Sequence, residues 1–234
     1  MGEQADLFTA GVEEAPWAVL SPTVGAEGID PVAALDEEAT LTALLGRCGT
    51  AGRDPDLLAS QLLDRFSGIG RVIGAPTADL ARVVGEDLAI ELGVLHALLL
   101  RVLAFPLRRR DVIASFGAAK AYLRARLRAA PREAFHVLFL DKKNQLIADE
   151  RMNAGTVNHA PVYPREVVRR ALELSASAVL LAHNHPTGDP NPSSADVEMT
   201  RQVLAACRAL DIAVHDHFIV GGDQVASLKA LGLM

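Results

Sequence analysis

Two histidines two residues apart, His183-Asn184-His185, follow an apolar run, and Ser193 and Asp196 come soon after. In an extended segment, side chains at i and i+2 point the same way, so both imidazoles face one side where the segment ends. The Pro- and Gly-rich stretch 186–192 must then double back. That brings Asp196, in the first turn of the next helix, toward the pair. Two imidazoles and a carboxylate with one open position make a catalytic rather than a structural zinc site. Neutral imidazole and carboxylate suit Zn2+, and ligand type alone leaves Fe2+, Mn2+ and Co2+ open.

Hydrolysis at such a site needs a base outside the ligand set. Glu150, at the end of a neighbouring strand, is the expected general acid/base, with Asp149 facing the other way. The hydroxyl of Ser193 is placed to donate to the oxyanion of a tetrahedral intermediate. A plainer reading stands beside this one. Ser193-x-x-Asp196 fits a capping box, in which the two side chains close a helix N-terminus. His136, His159, His215 and His217 read as polar residues near strand ends, although Asp216-His217 could line the site.

The elements that position these residues are legible from periodicity. Phe135–Leu140 is apolar throughout and reads as a buried strand. Asp141-Lys142-Lys143-Asn144 is a turn, and Gln145–Glu150 returns to form a hairpin. Gly155–Asn158 offers a third strand. Pro164 opens a helix to about Leu174, with proline where its missing N–H does no harm. Ser177–Ala182 is the strand that delivers the histidines. A helix follows over Ser194–Leu210, and two strands, Ile212–Val214 and Phe218–Val220, lead to Gly221-Gly222. Strands interleaved with helices imply an α/β domain with a mixed sheet over 133–234.

Upstream, helical spacing dominates. Leu41, Leu44 and Leu45, then Leu57, Leu58, Leu62 and Phe66, then Ala78–Val84 and Leu88–Leu103, make a small all-α domain over 35–104. Pro106 and Arg108-Arg109-Arg110 read as a linker, and Ala114–Ala129 as an amphipathic helix, giving a basic linker/helix segment over 105–132. Residues 1–34 mix Gly, Pro, Ala and acids without apolar periodicity and read as a flexible acidic tail.

The chain has 234 residues, half of them hydrophobic, and a net charge of −6. Its charge is uneven. Met1 to Gly46 holds nine acids and no Lys or Arg, whereas Arg101 to Arg132 holds nine basic residues against Asp111 alone. The longest apolar run, Leu92–Leu107, is interrupted by His96, Arg101 and Pro106, so no membrane span is expected. Cys48 and Cys207 stand far apart and form no disulfide framework or thiolate zinc site. No signal peptide is visible, and a cytoplasmic location is expected. Oligomeric state is not readable.

The run Glu150…His183-x-His185-x7-Ser193-x2-Asp196 resembles the JAMM motif of MPN-domain metalloproteases. Phe135–Asp141, Gly155-Thr156-Val157, Tyr163-Pro164-Arg165-Glu166, Ala182–Pro186 and Asp216–Val220 resemble bacterial RadC proteins from about Phe135 to the C-terminus. Asn184 matches the family's asparagine between the histidines, and Thr187 keeps a hydroxyl where many relatives have serine. The resemblance implies an MPN fold preceded by a helix-hairpin-helix-like domain. It implies one Zn2+ per chain on His183, His185 and Asp196, Glu150 as general acid/base and Ser193 at the oxyanion. The implied reaction is hydrolysis of a peptide or isopeptide bond by a zinc-bound water, with a protein or peptide as substrate. The alternative is a DNA-repair-associated accessory protein whose metal site is not proteolytic and whose Arg108, Arg109 and Arg110 touch DNA weakly. The family's Gly-x-Gly hairpin has no match at Gly85-Glu86-Asp87, where two acids would repel phosphate.

Overall fold

The computed structural model of the chain describes residues 35–112, 116–152 and 162–234. Its first part is helical: α1 (Glu37–Cys48), α2 (Pro55–Phe66), α3 (Ile69–Gly74), α4 (Thr77–Val84) and α5 (Glu86–Arg109). The apolar positions at helical spacing point inward. Leu41, Leu45, Leu58, Leu62, Leu80 and Leu92 are buried in one shared core. Short polar side chains start the helices, as when Asp36 accepts from the Ala39 amide and Asp54 from Asp56.

The second part follows as α6 (Phe116–Leu127), β1 (Phe135–Leu140), β2 (Leu146–Arg151), α7 (Pro164–Glu173), β3 (Ala178–His185), α8 (Ser194–Arg208), β4 (Ala213–Gly221) and β5 (Gln224–Ser227). The strands form one mixed sheet in the order β2-β1-β3-β4-β5, with β3 and β4 parallel and the other pairs antiparallel. Period-two alternation divides the sheet's side chains. Leu138, Leu140, Leu180, Ala182, Phe218 and Val220 pack with α5 and α6. Phe135, Val137, Phe139, Val179 and Leu181 pack with α7 and α8 on the other face. Both faces of β1 and β3 are covered, which is why these strands are apolar without interruption.

Several expectations change. The helix read as ending at Leu103 runs on to Arg109 through Pro106, so the basic run is its last turn rather than a linker. Proline removes one N–H, but Ala104 and Leu107 are anchored in the sheet-side core, and the Arg110 amide closes the helix on the Pro106 carbonyl. The two strands read around Ile212–Val220 are a single strand, β4. A fifth strand, β5, pairs with β4 across the tight turn at Gly222. His96, Arg101 and Pro106 do not interrupt α5, which by length and composition alone is apolar enough to cross a membrane. It packs nonetheless against α3, α4, α6 and β2. The strand expected at Gly155–Asn158, His159 and the tail over 1–34 lie outside the described residues.

Candidate metal centre

β3 lies at the middle of the sheet, and its C-terminal end carries His183 and His185 toward α8. Their Nε2 atoms are 3.0 Å apart. Asp196, in the first turn of α8, places Oδ1 3.2 Å from His183 Nε2 and Oδ2 3.4 Å from His185 Nε2. Atoms bound 2.0–2.1 Å from a tetrahedral zinc stand about 3.3 Å apart, so these three side chains fit one face of such a polyhedron. Among the described residues, Glu133, His183, His185 and Asp196 form the group whose ligand atoms all lie within 4.8 Å of one another.

The hydrogen-bond network assigns the imidazole tautomers. His185 Nδ1 lies 2.8 Å from the Asp189 carbonyl, which only accepts, so Nδ1 carries the proton. The Thr200 hydroxyl donates to the Asp196 carbonyl at 2.6 Å and therefore accepts from His217 Nδ1, also at 2.6 Å. His217 Nε2 is then the acceptor for His183 Nδ1–H at 2.9 Å. Burial, then the neighbouring His183, pushes the His217 imidazole well below its usual range, which keeps it neutral. Both histidines thus aim Nε2 lone pairs, with a carboxylate beside them, at one point. Acceptors so close together repel unless a cation lies between them, and the donor set fits a divalent metal.

Asp196 serves two structures at once. Its Oδ2 accepts from the Ser193 amide and hydroxyl, both at 2.7 Å, and its own amide donates to Ser193 Oγ, completing a capping box for α8. Oδ1 is left toward the histidines. Burial would raise this carboxyl, but the hydrogen bonds donated by the Ser193 hydroxyl and amide favour its charged form, and it is held well below the usual carboxylate range. The capping box is therefore formed, it leaves the same carboxylate able to join a metal-binding group, and the Ser193 hydroxyl is engaged with Asp196.

Glu150 is not at this site. It pairs across β1 with Val137, which pairs in turn with Leu181, so it lies two residues back from His183 and two strands away, about 12 Å from Cα to Cα. Its carboxylate is held by Arg170 of α7 in a bidentate pair at 2.6 and 2.7 Å, and this guanidinium lowers its pKa. The structure brings Glu133 instead. Its Oε1 stands 3.9 Å from His183 Nε2 and 3.8 Å from His185 Nε2. That is too far for a direct hydrogen bond but right for one intervening water or reacting atom. Register held the missed signal: Phe135 pairs with His183. Counting back two residues, residue 133 stays on the same face, level with His185.

Asn184 faces the opposite way and ties down the chain that carries Glu133. Its Oδ1 accepts from the Ala134 amide at 2.9 Å, and its Nδ2 donates to the carbonyls of Ala130 and Arg132. Gly221, paired with His185 on β4, lets the metal loop lie flat. A Cβ there would stand 2.4 Å from Pro190 N and 2.7 Å from the Gly188 carbonyl oxygen. The loop so held presents the Asp189 carbonyl that orients His185. Asp216 is turned away, accepting from Ser227, Lys229 and its neighbour His217 to secure β5.

A RadC-like JAB domain family model matches residues 113–233, the span that holds the sheet, α7, α8 and all four clustered side chains, and the chain belongs to that family.

Proposed function

We propose that the protein is a metal-dependent hydrolase, with zinc as the resident ion, that cleaves a peptide or isopeptide bond. The observation that carries this reading is the convergence of His183 Nε2, His185 Nε2 and Asp196 on one point with Glu133 just outside it. A divalent cation held there supplies Lewis acidity, polarising a carbonyl and making a nearby water more acidic.

The chain's own groups do the rest. Exposure rises from His183, 3 % exposed, through Asp196 and His185 to Glu133 at 46 %, so a substrate carbonyl approaches over Glu133. The Glu133 carboxylate takes a proton from the attacking water and returns it to the leaving amine. Asn184 and the backbone at 130–134 keep that carboxylate at its station. His217 and Thr200 hold His183 in the ligating tautomer, and Ser193 orients Asp196. Family membership supports the reading, because JAB-type domains include metalloproteases.

The test is metal analysis of the purified protein together with cleavage of peptide and isopeptide-linked substrates. About one Zn2+ per chain and metal-dependent cleavage are expected. A folded wild type that takes up no divalent metal would overturn the reading.

A further inference from the structure

Helix α5 carries a face that the rest of the described chain does not cover. Leu88, Ala89, Leu92, Ala104 and Leu107 lie on its buried side. On the opposite side Ile90, Val94, Leu98, Val102 and Phe105 are each more than half exposed. At 3.6 residues per turn these five share one stripe about 22 Å long. Single exposed apolar side chains are ordinary, but a continuous stripe of this length marks a contact surface.

The charges at its ends say what covers it. Projected on the same face, Asp87 and Glu91 stand at the N-terminal end of the stripe, and Arg101 and Arg109 toward its C-terminal end, while Arg108 turns to the Ile147 carbonyl of β2. Among the described residues, no ion pair engages Asp87, Glu91 or Arg101. A stripe acidic at one end and basic at the other is complementary to itself when reversed. With a two-fold axis at Leu98, residue k of one helix faces residue 196 − k of the other. Leu98 then meets Leu98, Val94 meets Val102, and Asp87 meets Arg109. The antiparallel helix dipoles add to the attraction. A membrane core offers nothing to these charges, and a nucleic acid would be repelled by Asp87 and Glu91.

We infer that the protein forms a two-fold symmetric homodimer through antiparallel packing of α5 against α5, centred on Leu98. The interface is isologous, as in most closed dimers. It buries on the order of 1,000 Å2 in total, near the lower end for specific complexes, so the dimer dissociates measurably on dilution. It lies outside the metal centre and does not depend on the hydrolase reading.

Sedimentation velocity of the full chain across a dilution series tests this. The wild type is expected to move between monomer and dimer with protein concentration, and Leu98→Glu is expected to weaken the dimer about 100-fold. Asp87→Lys and Arg109→Glu each weaken it about tenfold, and together they restore it to within a few-fold of wild type, because only the reversed pairing places them opposite one another. All three positions are at the surface, and a thermal melt confirms that each variant folds. A wild type monomeric up to roughly 100 µM would overturn the inference. So would a dimer indifferent to Leu98→Glu, a charge swap without recovery, or co-sedimentation of the monomer with phosphatidylglycerol vesicles.

Discussion

The two faces of the sheet each bury a histidine beside an aspartate, yet among the described residues only one of the two clusters could hold a metal ion. On the α7/α8 face, His183 and His185 give their Nδ1 protons to His217 and to the Asp189 carbonyl, which leaves both Nε2 lone pairs converging on Asp196. On the α6 face, His136 Nδ1 meets Asp149 Oδ1 at 2.7 Å, and the other carboxylate oxygen takes the Tyr122 hydroxyl at 2.6 Å with Arg126 beside it. Burial works against the Asp149 carboxylate, but His136, Tyr122 and Arg126 outweigh it and lower its pKa, while burial and Asp149 raise that of Tyr122. That cluster is closed. Residue type does not separate a ligand histidine from a structural one; the partner of its second nitrogen does.

Exchanging a ligand should break the contrast most severely. His183→Ala or Asp196→Ala is expected to abolish stoichiometric zinc, measured by metal analysis of protein that still shows a cooperative thermal transition. Glu133→Gln should leave the metal in place and lower cleavage by about 10²–10⁴-fold, the usual contribution of a positioned base. Glu150→Gln should change cleavage no more than a few-fold, and a large loss there would return the base to β2.

Weaker effects sharpen the contrast from the supporting residues. Thr200→Val removes the hydroxyl that orients His217 without changing side-chain shape, and zinc affinity should fall about 10–100-fold in a competition titration with a chelator. Asp149→Asn should leave zinc binding unaltered and lower folding stability by about 1–3 kcal/mol at neutral pH, read by chemical denaturation. Because the folded-state pKa of Asp149 is depressed, its contribution is complete above the ordinary value of 3.8 and is lost as pH falls through the lower folded value. The gap between wild type and Asp149→Asn should therefore close on acidification below about pH 4.

Much of the domain was legible because burial imposes simple periods. The hairpin β1–β2, the strand ending at the histidines and the helix opened by Pro164 stand within a few residues of where alternation and proline place them. The continuation of α5 through Pro106 was not legible, since a helix breaker is overruled only by packing that local sequence does not contain. His217 reads as a polar residue near a strand end that could line the site with Asp216, and the sequence does not say which of the two reaches His183. The place of His217 behind His183 depends on β4 lying parallel to β3, a pairing made across the whole of α8.

The spacing His183-x-His185 and the turn-forming run before Ser193-x-x-Asp196 determined by themselves that two imidazoles share a direction and that a carboxylate opens the next helix. Those are consequences of strand pleat and helix capping, and both act within a few residues. Which glutamate joins them was a tertiary decision. Glu150 lies within β2 and Glu133 just before β1, and only the register of β1 against β3 separates the one held by Arg170 from the one that reaches the two histidines. Register is set by which long-range pairing buries the apolar face. A shift of one residue turns every side chain over, so it is settled only when the whole sheet assembles.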